Sequence, residues 1–146
     1  MTAVASYPRA SGGRPASGGS VWARRSRLWL SGFAPVLILT GLAGLLLPPG
    51  LSLMSSAPPY DVFHIAFGVV GVGIVLSRSA VGAALFNVAF GAIDLYQAAA
   101  GWGGLFPARA FALRPADHAV HLVLGLVLVG IGGAALRSTA RAPGRS

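Results

Sequence analysis

The stretch DVFHIAFGVVGVGI, residues 61–74, recurs further along the chain as HAVHLVLGLVLVGI, residues 118–131. Each copy has a histidine, His64 or His121, followed four residues later by a glycine, and most of the remaining residues are apolar. Residues four apart lie on one face of an α-helix, so each copy predicts an apolar helix whose histidine and glycine share a face. The recurrence therefore predicts a chain built from two similar units.

The composition is typical of a membrane protein. Of the 146 residues, 55% are hydrophobic and 10% are charged, and the mean hydropathy is +0.74, whereas soluble domains carry about 25% charged residues. The net charge of +8 comes from arginines that are concentrated in the terminal tails without a basic groove of interleaved aromatics, so no nucleic-acid partner is expected. The absence of cysteine excludes disulfides, thiolate metal sites and cysteine nucleophiles.

Four apolar stretches predict four transmembrane helices and an all-α four-helix bundle. The first stretch carries no charge and spans about 30 Å at 1.5 Å per residue, the thickness of a hydrocarbon core. The membrane domain is predicted to cover residues 28–136, between a disordered Arg/Gly/Ser-rich tail, residues 1–27, and a basic tail, residues 137–146. The predicted spans are residues 28–47, 61–76, 80–100 and 116–136.

The arginines predict the orientation in the membrane. All but two of the eleven lie in the two tails or in the turn at Arg78, and the other two, Arg109 and Arg114, lie in the last loop. Basic residues concentrate on the cytoplasmic side, so both termini are predicted to be cytoplasmic in a bacterial plasma (inner) membrane. The second and fourth helices then run in the same direction, and the chain forms two tandem hairpins related as a parallel internal repeat.

The polar residues inside the spans define the candidate site. Counted from the helix ends at 1.5 Å per residue, His64, Asp94 and His121 fall roughly 5–9 Å below the outer boundary. Because a carboxylate inside a membrane normally faces the bundle interior and has a partner, we expect Asp94 to accept a hydrogen bond from His64 or His121. The secondary members of this predicted polar cluster are Asp61 and Asp117 as helix caps at its mouth, His118 beside them, and Asn87 on the same helical stripe as Asp94.

Glycines on the predicted spans favour close contact between helices. Gly68, Gly91 and Gly125 are expected to thin the helix faces that meet inside the bundle. Gly41 and Gly44 form a small-residue face on the first span, and such faces allow self-association. The predicted partners are therefore the lipid bilayer and either a second copy of the chain or a larger membrane complex.

The sequence predicts no enzyme, because it contains no Walker loop, nucleophile elbow or HExxH motif. The simplest function is structural or accessory, in which the histidines tie helices together by hydrogen bonds of about 0.6 kcal/mol each; no cofactor is expected. The alternative is electron transfer or sensing by a b-type haem or a divalent metal ion on His64 and His121, with Asp94 as a further metal ligand. Movement of protons or small solutes past Asp94 is a third hypothesis. A complete pathway would need polar residues along the whole span, and only Asn87 extends the polar stripe towards the cytoplasm, which argues against it.

Four motifs resemble a known family. They are GLLLPPG at residues 44–50, DxxHxxxG at 61–68, GxxDLY at 91–96 and DHxxHxxxG at 117–125. Together they make the chain from Leu28 to Leu136 similar to a bacterial family of small four-span membrane proteins known as domain of unknown function 4383. This resemblance implies the four-span topology, and it implies no activity because the family has none assigned.

Overall fold

The computed structural model describes residues 18–48, 51 and 54–141, and this part of the chain is helical without any strand. Each of the four helices contains a segment long and apolar enough to cross a membrane, with Val21–Leu46 as that segment in the first helix and the whole helix in the other three. The prediction of an all-α protein with four helices long and apolar enough to cross a membrane is thereby confirmed. The helices are α1 Gly18–Leu46, α2 Pro58–Leu76, α3 Ala80–Gly103 and α4 Pro115–Ala140.

The first and last helices extend further than the spans that the sequence predicted. Helix α1 begins at Gly18 and not at Leu28, and α4 continues to Ala140 and not only to Leu136, so parts of both predicted tails are helical. The remainder of those tails, residues 1–17 and 142–146, lies outside the described residues. Hydropathy marks where a helix leaves the hydrocarbon, whereas the backbone hydrogen bonds of the helix continue into the polar interface. The predicted spans are therefore shorter than the helices.

Helix α2 begins before the predicted N-cap, Asp61. Its N-cap is Ala57, and the two prolines that follow occupy the first helical positions, where the missing N–H groups leave no intrahelical bond unmade. Asp61 therefore lies inside the helix, buried at 1% exposure, and the prediction that it caps α2 was wrong. Asp117 does act at a helix start, because its carboxylate accepts a hydrogen bond from the backbone N–H of the α4 N-cap, Arg114, at 2.7 Å.

The most extensive contacts are those of α1 with α2 and of α3 with α4, and α1 also packs against α3 and α4, whereas α2 and α3 touch only slightly. Glycines lie at the closest approaches. A Cβ atom at Gly68 of α2 would lie 2.9 Å from the Ala34 carbonyl oxygen of α1, and one at Gly125 of α4 would lie 2.8 Å from the Gly91 carbonyl oxygen of α3. These distances are too short for real Cβ atoms, so glycine permits each helix pair to approach this closely.

The Gly41/Gly44 face of α1 is used inside the molecule. A Cβ atom at Gly41 would collide with the Asp61 backbone carbonyl oxygen, and one at Gly44 would collide with the Asp61 carboxylate. The face that the sequence offered for self-association is therefore covered by α2. The buried apolar core consists of Leu30, Phe33, Ala34 and Leu37 from α1, Ala83, Phe86 and Phe90 from α3, and Leu128 from α4.

Candidate functional site

His64 of α2, Asp94 of α3 and His121 of α4 line one cavity of about 170 Å³, whose other walls are mostly apolar and include residues of α1. The three side chains are 6%, 2% and 3% exposed, respectively. The cavity lies towards the end of the bundle at which α2 and α4 begin, which we call the aspartate end because it also carries Asp61 and Asp117. The structure thus brings the three main candidate residues from three different helices to one place.

The helical period explains why these side chains point inward together. On α2 and on α4 each histidine lies on the same stripe as the glycine four residues later, and on α3 Asp94 lies on the stripe of Phe90 and Ala98. Small residues bring the backbones close along these stripes, and the polar side chains on the same stripes are buried as a result. The residues that share the buried face of α4 are Asp117, His121, Gly125, Leu128, Gly132 and Ala135.

Tyr60 is the main member of the site that the sequence analysis missed. Its hydroxyl oxygen lies 2.7 Å from His121 Nε2 in a buried hydrogen bond, and its ring lies 4.2 Å from the His64 ring in an edge-on arrangement. Tyr60 was assigned to the loop before α2. The signal that would have found it is the pair Pro58-Pro59, which favours a helix start there and puts Tyr60 one turn before His64 on the same face.

Asp94 does not form the predicted hydrogen bond with a histidine. Its Oδ2 atom is buried and has no hydrogen-bond partner in the described part of the chain. The Nδ1 atoms of His64 and His121 are likewise buried and without a partner there. His121 Nε2 is engaged by Tyr60 instead, because the early start of α2 places the tyrosine within reach. Buried polar atoms without a partner are uncommon in proteins, so the cavity retains hydrogen-bonding capacity that the described side chains leave unused.

Asp117 connects the two loops at the aspartate end. The backbone N–H of Ser55 donates to both oxygens of Asp117, at 3.2 and 3.1 Å, and the Ser55 hydroxyl donates to the backbone carbonyl oxygen of Phe111. The loop between α1 and α2 is thereby attached to the loop between α3 and α4. Ser55 was not predicted, because nothing in a loop sequence signals a partner 62 residues away.

The other secondary candidates lie away from the cavity. Asp61 packs against Gly44, and the His118 ring packs against Gly101 of α3. The Asn87 side-chain amide donates to the backbone oxygen and the hydroxyl of Ser26, at 3.1 and 3.0 Å, and so ties α3 to α1. Of the predicted polar cluster, His64, Asp94 and His121 therefore line the cavity, and Tyr60 joins them through its hydrogen bond to His121.

The cavity is small. Its volume of about 170 Å³ is below the roughly 300–1,000 Å³ of pockets for drug-sized ligands, and one of its histidines already binds Tyr60. Among residues 18–48, 51 and 54–141, no group of three or more His, Cys, Asp or Glu side chains is arranged to hold a metal ion.

Comparison of the chain with protein-family models, with curated proteins and with solved structures finds no match. The resemblance to a four-span bacterial family therefore stays a prediction that depends on the four quoted motifs.

Proposed function

We propose that this protein is a non-enzymatic structural or accessory component of the bacterial plasma membrane. Its two helical hairpins, α1–α2 and α3–α4, form a parallel internal repeat with both termini in the cytoplasm, and the polar groups near the outer face hold the hairpins together. The observation that carries this proposal is the buried hydrogen bond of 2.7 Å between Tyr60 of the first hairpin and His121 of the second.

This bond matters because α2 and α4 are not among the helix pairs in extensive contact within the described residues. Tyr60 reaches across from α2 to α4, and the Asp117–Ser55 hydrogen bonds add a second connection between the hairpins at the same end. Polar contacts thus join the hairpins at the aspartate end, and the apolar core joins them elsewhere. In a structural role, these hydrogen bonds connect the two hairpins.

Equivalent contacts support the repeat. Gly68 and Gly125 occupy equivalent positions of the duplicated stretch, and each packs against the preceding helix of its own hairpin. The distribution of arginine supports cytoplasmic termini, and the quoted motifs support membership of the four-span family that the sequence resembles.

A small ligand, such as a divalent metal ion on His64 and His121, is the second candidate. It is favoured by the buried Asp94 Oδ2 atom without a partner, beside the same cavity. Metal analysis and a visible spectrum of the purified protein test it. Stoichiometric metal that is lost in both His64→Ala and His121→Ala would establish this function in place of the structural one, and a Soret band lost in the same variants would support the haem hypothesis.

The structural proposal is tested by Asp94→Asn. Asp94 Oδ2 has no hydrogen-bond partner among the described residues, and asparagine has the same shape without the charge, which is unfavourable in a membrane. We expect unchanged protein levels, an equal or higher melting temperature in detergent, and normal growth of cells that carry the variant. A growth defect at normal protein level would contradict the proposal.

Asn87→Asp is the matched control for that experiment. Its amide donates two hydrogen bonds to Ser26, and a carboxylate in that position has no proton to donate. This substitution, the reverse of Asp94→Asn, should lower the melting temperature. Such a decrease would show that the assay detects the loss of a buried polar contact between helices.

A further inference from the structure

The carboxylates of the described chain lie towards one end of the bundle, whereas most of its arginines lie at the other end and two arginines, in the α3–α4 loop, lie at the same end as the carboxylates. Asp61, Asp94 and Asp117 are buried and lie towards the aspartate end. The opposite end, which we call the arginine end, contains the start of α1, the turn between α2 and α3 and the end of α4. Arginines at this end, among them Arg24 and Arg27, are exposed and make no ion pair in the described chain.

A groove of about 520 Å³ opens at the arginine end between the start of α1 and the α2–α3 turn. Arg24 and Arg27 line it and are exposed, and their spacing of three residues puts both on one face of α1. The walls below them are small or apolar and include Leu28 of α1 and Val75 of α2. The groove therefore combines two cationic side chains with an apolar floor.

We propose that this groove binds an anionic phospholipid, with the headgroup phosphate on Arg24 and Arg27 and an acyl chain along Leu28 and Val75. Guanidinium groups bind phosphate oxygens through paired, charge-assisted hydrogen bonds. Basic pockets between transmembrane helices on the cytoplasmic side are suited to anionic lipid headgroups. The proposal rests on the placement of α1 in a membrane and is independent of the cavity at the aspartate end.

Two further features of this end favour a lipid over a free anion. Trp22 and Trp29 on α1 are 36% and 45% exposed, and exposed tryptophans at the ends of membrane spans lie at the level of the headgroups. Ala80, the first residue of α3, also lines the groove, so the positive end of that helix dipole adds to the potential around the arginines. An inorganic anion would use the charges and leave the apolar floor uncovered.

The test uses the full-length protein in a neutral detergent. Phosphatidylglycerol and phosphatidylcholine with identical acyl chains are added separately, and retained lipid is counted by native mass spectrometry alongside the melting temperature. We expect phosphatidylglycerol to be retained preferentially and to raise the melting temperature. The variant Arg24→Gln/Arg27→Gln should retain at least several-fold less, whereas the matched control Arg137→Gln/Arg141→Gln, which removes the same charge outside the groove, should behave like the wild type.

Three results would overturn the proposal: equal retention of both lipids, an equal loss in the two double variants, or stabilisation by inorganic phosphate as large as that by phosphatidylglycerol. Arg24 and Arg27 are exposed and make no ion pair in the described chain, so their replacement should leave the lipid-free melting temperature unchanged. If that variant fails to fold, Val75→Trp decides the matter. It fills the groove and keeps both arginines, so lipid retention equal to that of the wild type would again contradict the proposal.

Discussion

A single hydroxyl group makes the contact between α2 and α4 that the proposed function needs. Tyr60 is fully buried, and its hydroxyl pairs with His121 Nε2, whereas the Asp94 carboxylate, which was expected to bind a histidine, lines the cavity with one oxygen unpaired. The neutral pair avoids burying a charged partner, which is the more expensive arrangement inside a membrane. The interhelical bond therefore depends on tyrosine and histidine, and Asp94 is free of that role.

Tyr60→Phe should destabilise the protein by about 0.6 kcal/mol and by no more than about 1.7 kcal/mol, the range measured for hydrogen bonds between membrane helices. The change removes only the hydroxyl group and leaves the ring contact with His64 in place. The measurement is reversible unfolding in mixed micelles.

Tyr96→Phe is the control for that measurement. The Tyr96 hydroxyl also makes a hydrogen bond of 2.7 Å, to the Phe106 backbone oxygen, but at an exposed position, where solvent replaces the lost partner. An equal effect of the two substitutions would mean that the Tyr60–His121 bond contributes nothing particular to the bundle.

At the scale of the helix, glycines distinguish the buried faces of α2 and α4 from their open faces. Gly68 and Gly125 lie at close approaches to the preceding helix, whereas a Cβ atom at Gly73 or Gly130 would meet nothing within 4 Å. Each helix of the duplicated stretch therefore contains glycines that permit contact and glycines that lie on an open face. Equivalent residues in the two copies thus have equivalent surroundings.

Gly68→Ala and Gly125→Ala should each destabilise the protein by roughly 1–3 kcal/mol, the usual cost of overpacking. The new methyl groups would lie under 3.0 Å from backbone atoms of the facing helix, which cannot move as freely as a side chain. Melting temperatures in detergent give the comparison.

Gly73→Ala and Gly130→Ala are the paired controls on the same two helices. They should be neutral or stabilising, because alanine is favoured over glycine in a helix by about 0.5–1 kcal/mol. A similar loss at all four positions would show that the close approaches at Gly68 and Gly125 are not what limits stability.

At the scale of the whole molecule, the connection of the two loops through Asp117 is expected to hold the aspartate end together. Asp117→Ala removes the acceptor for the Ser55 and Arg114 backbone N–H groups, and the loss of such a helix-capping group costs about 0.5–2 kcal/mol. Hydrogen exchange at residues 54–57 should accelerate markedly. Arg109→Ala, exposed in the loop between α3 and α4, is the control, and unaltered exchange in Asp117→Ala would show that the loops hold their positions by other contacts.

The orientation is a second property of the whole molecule, and the absence of cysteine in the chain makes it simple to measure. Leu105→Cys, in the exposed loop after α3, and Thr139→Cys, exposed at the end of α4, are labelled in intact spheroplasts with a membrane-impermeant maleimide. We expect Leu105→Cys to react at once and Thr139→Cys to react only after the membrane is permeabilised. The reverse pattern would place the termini outside the cell.

The sequence by itself determined an all-α protein with four helices long and apolar enough to cross a membrane, and it singled out His64, Asp94 and His121, which the structure places around one cavity. These properties are local: a helix in a bilayer must satisfy its own backbone hydrogen bonds, so twenty or so apolar residues are sufficient to predict it, and an ionisable residue among them stands out. Only the tertiary structure decided which polar groups meet. The Tyr60–His121 and Ser55–Asp117 bonds join residues 61 and 62 positions apart, and Asp61 became a contact of Gly44 because α2 starts one turn earlier than its first charge suggests. Such pairings depend on helix starts and on close backbone approach, which the pattern of a single helix does not contain.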